Sequence, residues 1–334
     1  MTPDDLLLQV LLSPGDESLR AVYVDQLLER GDPRGEHARL LRQGRAEEAE
    51  QLVRTHGASW LPPTLARLVV AGSERFRDGL LEACALRPMT GHDAQQLAAE
   101  PLWSAVRALH SPPYEVITQS TSLEALTGVD DALLATLGGW KTKLPRLQHL
   151  GLRVNSHERA VETMLRDLEL PSLTRLSVQL INEGENARRF LPDPVLAECC
   201  EDCARPSEPR DAPSFRPQAW AALFASKLGA QLKTLEFHAG WVDLAKYVEA
   251  LEGTRCDAEV VRLRGAEEAT GVPGWSLALL RTAPGRYRSL ELETQDANDD
   301  EAEDLRAMLV TRPAWLSLTG ELARRAKRLA PEVG

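Results

Sequence analysis

The chain lacks the features that mark membrane, secreted and nucleic-acid-binding proteins. No stretch of its 334 residues approaches the roughly 20 consecutive apolar residues of a membrane-spanning helix. Asp4 and Asp5 stand where a secretory signal would carry basic residues. Basic residues number 39 against 50 acidic ones, which gives a net charge of −11. We therefore expect neither a nucleic-acid partner nor a membrane partner.

Cysteines are few, and their arrangement does not indicate disulfides. The chain has five, an odd number, and three of them cluster at Cys199, Cys200 and Cys203. We interpret this as a free-cysteine loop in a reducing, cytoplasmic setting. The Cys200–Cys203 spacing supplies half of a tetrahedral zinc site, so zinc remains a weaker alternative that needs a distant ligand such as Cys84. The prediction is no bound metal and no cofactor.

Local catalytic motifs are also absent. The sequence contains no G-x-S-x-G, no phosphate-binding loop, no dinucleotide fingerprint and no H-E-x-x-H. Its seven histidines are scattered along the chain. We expect a protein that is not an enzyme, while a catalytic set assembled only in space remains an alternative.

The most informative feature that is present is a returning strand pattern, Leu-x-x-Leu-x-Leu. Its second apolar position recurs at intervals of 26, 59, 26, 29 and 26 residues. These anchor positions are Leu150, Leu176, Leu235, Val261, Leu290 and Leu316. A nearly fixed period in this range is typical of a solenoid, in which stacked units bury their apolar faces against neighbours.

The repeats predict the fold class and the second domain. Looser copies anchored at Leu81, Val106 and Leu126 extend the pattern toward the N-terminus, and helical stretches such as 131–137 lie between strands. We predict an α/β leucine-rich-repeat-like solenoid, or horseshoe, over residues 71–334, with strands inside and helices outside. The 59-residue interval contains a proline-rich insertion at about 182–217, which we interpret as a rim loop.

Residues 1–70 predict a small helical domain. Apolar residues recur at helical spacing in four segments, which begin near residues 4, 16, 34 and 46 and are separated by Pro- and Gly-containing breakers. The segment from Asp32 to Glu36 is interpreted as a turn followed by a helix start. Arg34 and Glu36 are expected to pair with Asp25 or Glu29 there.

Part of this region resembles a known family. The run from Leu19 to Gln43 resembles the helical repeat-companion domain of myxobacteria and planctomycetes, over about the first 45 residues. The matching positions are Tyr23, Asp25, Leu27, Glu29, Arg30, Gly31, Asp32, Pro33, Arg34, Gly35 and Glu36. The chain departs from the family at Gln26, which replaces Trp, and at His37, which replaces an aromatic or aliphatic residue. The resemblance implies a companion of repeats, often leucine-rich ones, and no established activity.

The strand pattern also predicts a binding surface. Side chains alternate along a strand, so the leucines point into the core and the intervening residues line the concave face. The candidate partner-binding residues are His149, Arg153, Arg175, Gln179, Glu236, His238, Arg262, Arg264, Glu291 and Glu293. An ordinary solvated sheet face is the alternative.

The predicted function is a non-enzymatic scaffold that binds a protein partner through the concave strand face or the rim loop. One alternative is an accessory subunit that positions a substrate for a separate enzyme in a modification or defence system. Another is a hidden metal-binding or hydrolytic protein. The sequence predicts neither the partner nor the oligomeric state.

Overall fold

The chain is a mixed α/β protein that divides into two compact units. Its structure, a computed structural model, describes residues 3–139, 143–155, 168–181, 226–239, 260–265, 289–294 and 316–319. The first unit comprises residues 1–129, 142–148 and 170–172, and the second comprises 130–141, 149–169 and 173–334. The insertion at 182–217 lies outside the described residues.

The first unit begins with the four predicted helices, and their positions are confirmed. They are followed by a 3₁₀ turn at Gly57–Trp60 and by a short helix, α5. The bounds are α1 Pro3–Leu12, α2 Glu17–Glu29, α3 Pro33–Arg42, α4 Ala46–His56 and α5 Pro63–Leu68.

Local chemistry explains where α2 and α3 begin. The Asp16 side chain accepts a hydrogen bond of 3.0 Å from the backbone N–H of Leu19 and so caps α2. Gly31 has a φ of +67°, a conformation in which glycine lets the chain leave a helix. Asp32 then caps α3 by accepting from the backbone N–H of Arg34 at 2.9 Å, and Pro33 is its first residue.

Gly35 allows α3 to cross closely over α2. A Cβ at this position would lie 2.7 Å from the backbone nitrogen of Leu28 and 2.9 Å from the carbonyl carbon of Leu27. The Asp32–Glu36 segment therefore has a structural role, as interpreted. Its predicted ion pairs differ, because Arg34 pairs with Asp32 at 2.7 Å and Glu36 pairs with Arg39, one helical turn away, at 2.6 Å.

Four strands complete the first unit. Their bounds are β1 Arg75–Arg77, β2 Leu80–Ala85, β3 Ala108–His110 and β4 Ala125–Val129. β1 and β2 form an antiparallel hairpin, whereas β2, β3 and β4 are parallel. Helices lie between these strands, namely α6 Gly91–Ala98, a 3₁₀ helix Pro101–Ser104 and α7 Tyr114–Gln119.

The register of these strands corrects two predicted anchors. Cys84 pairs with Leu109, and Leu109 pairs with Leu126. Leu81 is not part of this row, because it lies three residues before Cys84 and pairs with Phe76 on the other edge of β2. Val106 lies two residues before β3 begins and three residues before Leu109. Leu81 and Val106 therefore occupy the first apolar position of the Leu-x-x-Leu pattern, whereas the row is formed by the second.

A single apolar cluster joins the helices to the hairpin. It contains residues from α1, α2 and β2 and the residue that follows the 3₁₀ helix Pro101–Ser104, all of them at most 7 % exposed. The members are Leu6, Val10, Leu11, Tyr23, Leu27, Leu80 and Ala105. Burying side chains of this size contributes about 1.5–3 kcal/mol each, so the cluster is a main source of stability in this unit.

The second unit contains a ladder of parallel strands. Each described strand pairs with the next one along the chain. The elements are α8 Asp131–Gly139, β5 His149–Asn155, β6 Arg175–Ile181, α9 Lys227–Gln231, β7 Thr234–Ala239, β8 Val260–Gly265, β9 Ser289–Thr294 and β10 Leu316–Thr319. The predicted helix at 131–137 is confirmed by α8. The sequence also predicts helical stretches at 158–168, 218–228, 242–251 and 299–310, which lie outside the described residues except for residue 168 and residues 226–228.

All six later anchors lie in one row of this ladder. The register joins Leu150 to Leu176, Leu176 to Leu235, and so on through Val261 and Leu290 to Leu316. The strand prediction is therefore confirmed for β5 to β10. None of the helices in the described ranges combines the length with the apolar character that crossing a bilayer requires.

Candidate functional site

Three largely polar rows run across the ladder of the second unit, separated by two apolar rows. We call these three rows together the polar face. The first row is His149, Arg175, Thr234, Val260 and Ser289. The second row is Gly151, Ser177, Glu236, Arg262, Glu291 and Ser317, and the third is Arg153, Gln179, His238, Arg264, Glu293 and Thr319. The register thus brings all ten predicted partner-binding residues into these rows.

Burial follows the predicted alternation on β5 and β6. Leu150, Leu176 and Val178 are at most 1 % exposed, because they face the core. Arg153 is half-buried and Gln179 is exposed. For His238, Arg262, Arg264, Glu291 and Glu293, the structure describes backbone positions only.

An ion pair connects two of the predicted residues. The Nη2 atom of Arg175 donates to both carboxylate oxygens of Glu236, at 3.0 and 2.9 Å. The Glu236 side chain is only 5 % exposed, whereas 43 % of the Arg175 side chain is exposed. The expectation that Glu236 faces solvent is therefore wrong. A carboxylate this buried needs a cation within hydrogen-bonding distance, and Arg175 provides it.

His149 belongs to the same cluster but is not a cation. Its Nε2 shares a 3.0 Å hydrogen bond with the hydroxyl of Ser177. Burial, and next the neighbouring Arg175, lower the pKa of His149 to about 4, although Glu236 acts in the opposite direction. The imidazole is therefore neutral at pH 7 and can donate or accept one hydrogen bond at each nitrogen according to its tautomer.

Charges of opposite sign occupy neighbouring strands further along the ladder. In the second row, Arg262 pairs in register with Glu236 on one side and Glu291 on the other. In the third row, Arg264 stands between His238 and Glu293. Adjacent strands lie about 4.8 Å apart, at which distance opposite charges stabilise the pairing.

No metal centre is found in the part of the chain that the structure describes, where no three His, Cys, Asp or Glu residues form a possible ligand group. Cys84, considered as a distant zinc ligand, is 4 % exposed in β2. Burial, and next the charge of Glu74, raise the pKa of the Cys84 thiol to about 12, so a ligating thiolate is strongly disfavoured. Cys199, Cys200 and Cys203 lie outside the described residues.

A polar cluster in the first unit was not predicted from the sequence. It is centred on Asp78, whose carboxylate lies within 4.0 Å of the guanidinium groups of Arg20, Arg42 and Arg77. These residues are scattered in sequence, so no spacing connects them. The available signal was the Asp78-Gly79 pair between apolar residues, a strong hairpin indicator that would have located the turn.

Comparisons with known proteins do not define a family. No protein-family model matches the chain, and no curated protein or solved structure is significantly similar to it. The resemblance of residues 19–43 to the repeat-companion domain therefore remains a prediction.

Proposed function

We propose that the chain is a leucine-rich-repeat-like solenoid that binds a protein partner through its polar face and is not itself an enzyme. The observation that carries this proposal is the register, because the predicted contact residues stand in continuous rows across five described strands. Such rows form a broad, uniform surface suited to a protein partner rather than to a small substrate.

The electrostatics of the polar face support the proposal. Arg175 is held in place by Glu236 yet keeps 43 % of its side chain exposed. A side chain already ordered by a neighbour loses less conformational entropy when a partner contacts it. The alternating charges of Glu236, Arg262 and Glu291 in the second row, and the Arg264–Glu293 pair in the third, would favour a partner with the complementary pattern, which gives specificity more than raw affinity.

The test is a charge swap in the third row, Arg264→Glu combined with Glu293→Arg. The two positions pair directly across β8 and β9. The swap therefore keeps the net charge and an opposite-sign pair, while it inverts the pattern offered to a partner. The tagged wild type and variant would each be used for affinity capture from a lysate of the natural host, followed by mass spectrometry. We expect a partner to be retained by the wild type and lost, by at least about tenfold, with the variant.

A matched control is the swap Glu50→Arg with Arg54→Glu. This pair lies on α4 of the first unit, with side chains 60 % and 63 % exposed, whereas the polar face belongs to the second unit. The control should capture the partner as the wild type does. Equal capture by all three proteins, or no specific partner for any of them, would contradict binding through the polar face.

Arg175→Glu would be a poor test of the same idea. It would remove the cation from the buried Glu236 and set a second carboxylate beside it. Breaking a buried pair in this way costs roughly 3–5 kcal/mol, so lost binding would only report unfolding.

A further inference from the structure

The first unit contains a cleft lined by four arginines. Its volume is about 550 Å³, and its walls come from α2, α3, the β1–β2 hairpin and the segment before β3. The arginines are Arg20, Arg42, Arg77 and Arg107. The acidic lining residues are Glu17, Asp78 and Glu82, so the lining carries an excess of positive charge although the whole chain has a net charge of −11.

One carboxylate, that of Asp78, serves three of these cations. It lies 3.1 Å from Nη2 of Arg42, 3.8 Å from Nη1 of Arg20 and 4.0 Å from Nε of Arg77. Only the first distance is short enough for a hydrogen bond. Arg77 also donates to Glu82 at 3.4 Å. Each guanidinium has five N–H donors, so Asp78 and Glu82 together leave donors of the three arginines without an acceptor.

Arg20 is the cation with the least satisfied donors. Its side chain is 8 % exposed, and its Nε is buried without a hydrogen-bond partner among the described residues. Burial, and next the neighbouring Arg107, lower the pKa of Arg20, although Asp78 acts in the opposite direction. A buried guanidinium with only a distant counter-charge is costly, and an oxyanion in the cleft would lower this cost.

We propose that this cleft binds the oxyanion of a small ligand, a phosphoryl or carboxylate group held by Arg20, Arg42 and Arg77. The planar guanidinium fork matches the oxygen spacing of both groups and binds them through charge-assisted hydrogen bonds. The volume leaves room for a ligand larger than the oxyanion itself. This inference is independent of the partner proposed for the second unit.

The carboxylate of Asp78 would compete with such a ligand for the guanidinium groups of the cleft. It occupies the first position of the two-residue turn Asp78-Gly79 and has a φ of +51°. Asparagine tolerates this left-handed conformation as well as aspartate does. Asp78→Asn therefore preserves the turn, removes the competing charge and should strengthen anion binding, an outcome that a purely structural role of Asp78 does not produce.

The experiment is calorimetric titration of the full chain with pyrophosphate and, separately, with succinate, at low ionic strength to limit screening. We expect the wild type to bind at least one of them with a Kd below about 1 mM.

Asp78→Asn should bind about tenfold more tightly, because one unit charge close to the ligand is removed. The double variant Arg42→Gln with Arg77→Gln should bind at least about tenfold more weakly. The side chains of Arg42 and Arg77 are 48 % and 52 % exposed, so their replacement removes little packing.

Arg54→Gln is the control for loss of an arginine elsewhere, since it removes one positive charge from an exposed helix outside the cleft. Its affinity should equal that of the wild type, and circular dichroism should show that every variant is folded. Tighter binding of pyrophosphate would assign a phosphoryl ligand, and tighter binding of succinate a carboxylate ligand. The proposal is overturned if neither ion binds the wild type or Asp78→Asn, or if Arg54→Gln weakens binding as much as the double variant.

Discussion

At the scale of single residues, His37 shows how a polar side chain is accommodated in a core. It lies on α3 and is 3 % exposed. Its ring meets Trp60 edge-on at 5.6 Å and Phe76 at 6.4 Å between centroids. The imidazole thus fills an aromatic position, which is the residue type that the resembled family would place there. Burial lowers the pKa of His37, so the ring is neutral in the folded protein.

We predict that His37→Phe reduces the loss of stability at mildly acidic pH. An unfolded histidine titrates near pH 6.5, whereas folded His37 titrates lower. Between the two pKa values the unfolded state binds more protons, so the free energy of unfolding falls as the pH is lowered through about 6.5. Urea unfolding at pH 7.5 and 5.5 should show a smaller decrease in the free energy of unfolding for the variant than for the wild type.

The control for this measurement is His92→Gln, because His92 is exposed at the start of α6. The free energy of unfolding of His92→Gln should change with pH as that of the wild type does. If the free energy of unfolding changed with pH by the same amount in the wild type and in His37→Phe, His37 would not have a lowered pKa in the folded protein.

At the scale of secondary structure, the crossing of α2 and α3 depends on Gly35. We predict that Gly35→Ala destabilises the protein by roughly 1–3 kcal/mol, because a Cβ would meet backbone atoms of Leu27 and Leu28 within 3 Å. Helix propensity alone predicts the opposite sign, a gain of about 1 kcal/mol. Steric overlap should dominate, since backbone cannot move aside as a flexible side chain can. Denaturant unfolding measures the difference.

Gly91→Ala provides the comparison for Gly35→Ala. Gly91 begins α6, and a Cβ there would have no neighbour within 4 Å. This variant should be neutral or slightly stabilising. If Gly35→Ala were stabilising to the same degree, the close approach of the two helices would be refuted.

The elements differ in how far the sequence could predict them. The anchors from Leu150 to Leu316 were correct because apolar alternation specifies both the strand and its register. Leu81 and Val106 were wrong as anchors because each is the first apolar position of its repeat, three residues before Cys84 and Leu109, which form the row. The pairing of Arg175 with Glu236 was beyond sequence reasoning, since it joins residues 61 positions apart and requires the strand order and burial to be known.

At the scale of the whole molecule, a destabilising substitution should loosen mainly the unit in which it lies. β6 exchanges hydrogen bonds with β5 and β7 only, among the described strands. We predict that Leu176→Ala, at a fully buried site of β6, accelerates amide hydrogen exchange in β5, β6 and β7 more than in α1 to α3. The cavity costs about 2–5 kcal/mol and opens the neighbouring strand pairs first. Exchange mass spectrometry under native conditions resolves these segments.

Leu97→Ala is the reciprocal control, because Leu97 is fully buried in α6 of the first unit. It should accelerate exchange in the first unit and leave β5 to β7 nearly unchanged. Equal acceleration throughout the chain by either substitution would indicate one cooperative body instead of two.

The sequential strand ladder also limits how the length of such a chain can change during evolution. Deleting residues 261–289 would bring β9 next to β7 with the apolar rows still matched, but Glu291 would then stand opposite Glu236 in place of Arg262. Deleting residues 261–315 would instead bring Ser317 to that position. Loss of β8 alone would therefore set two carboxylates opposite each other, which is unfavourable across neighbouring strands. A shortening of the chain that removes β8 avoids this like-charge contact only if β9 is lost with it.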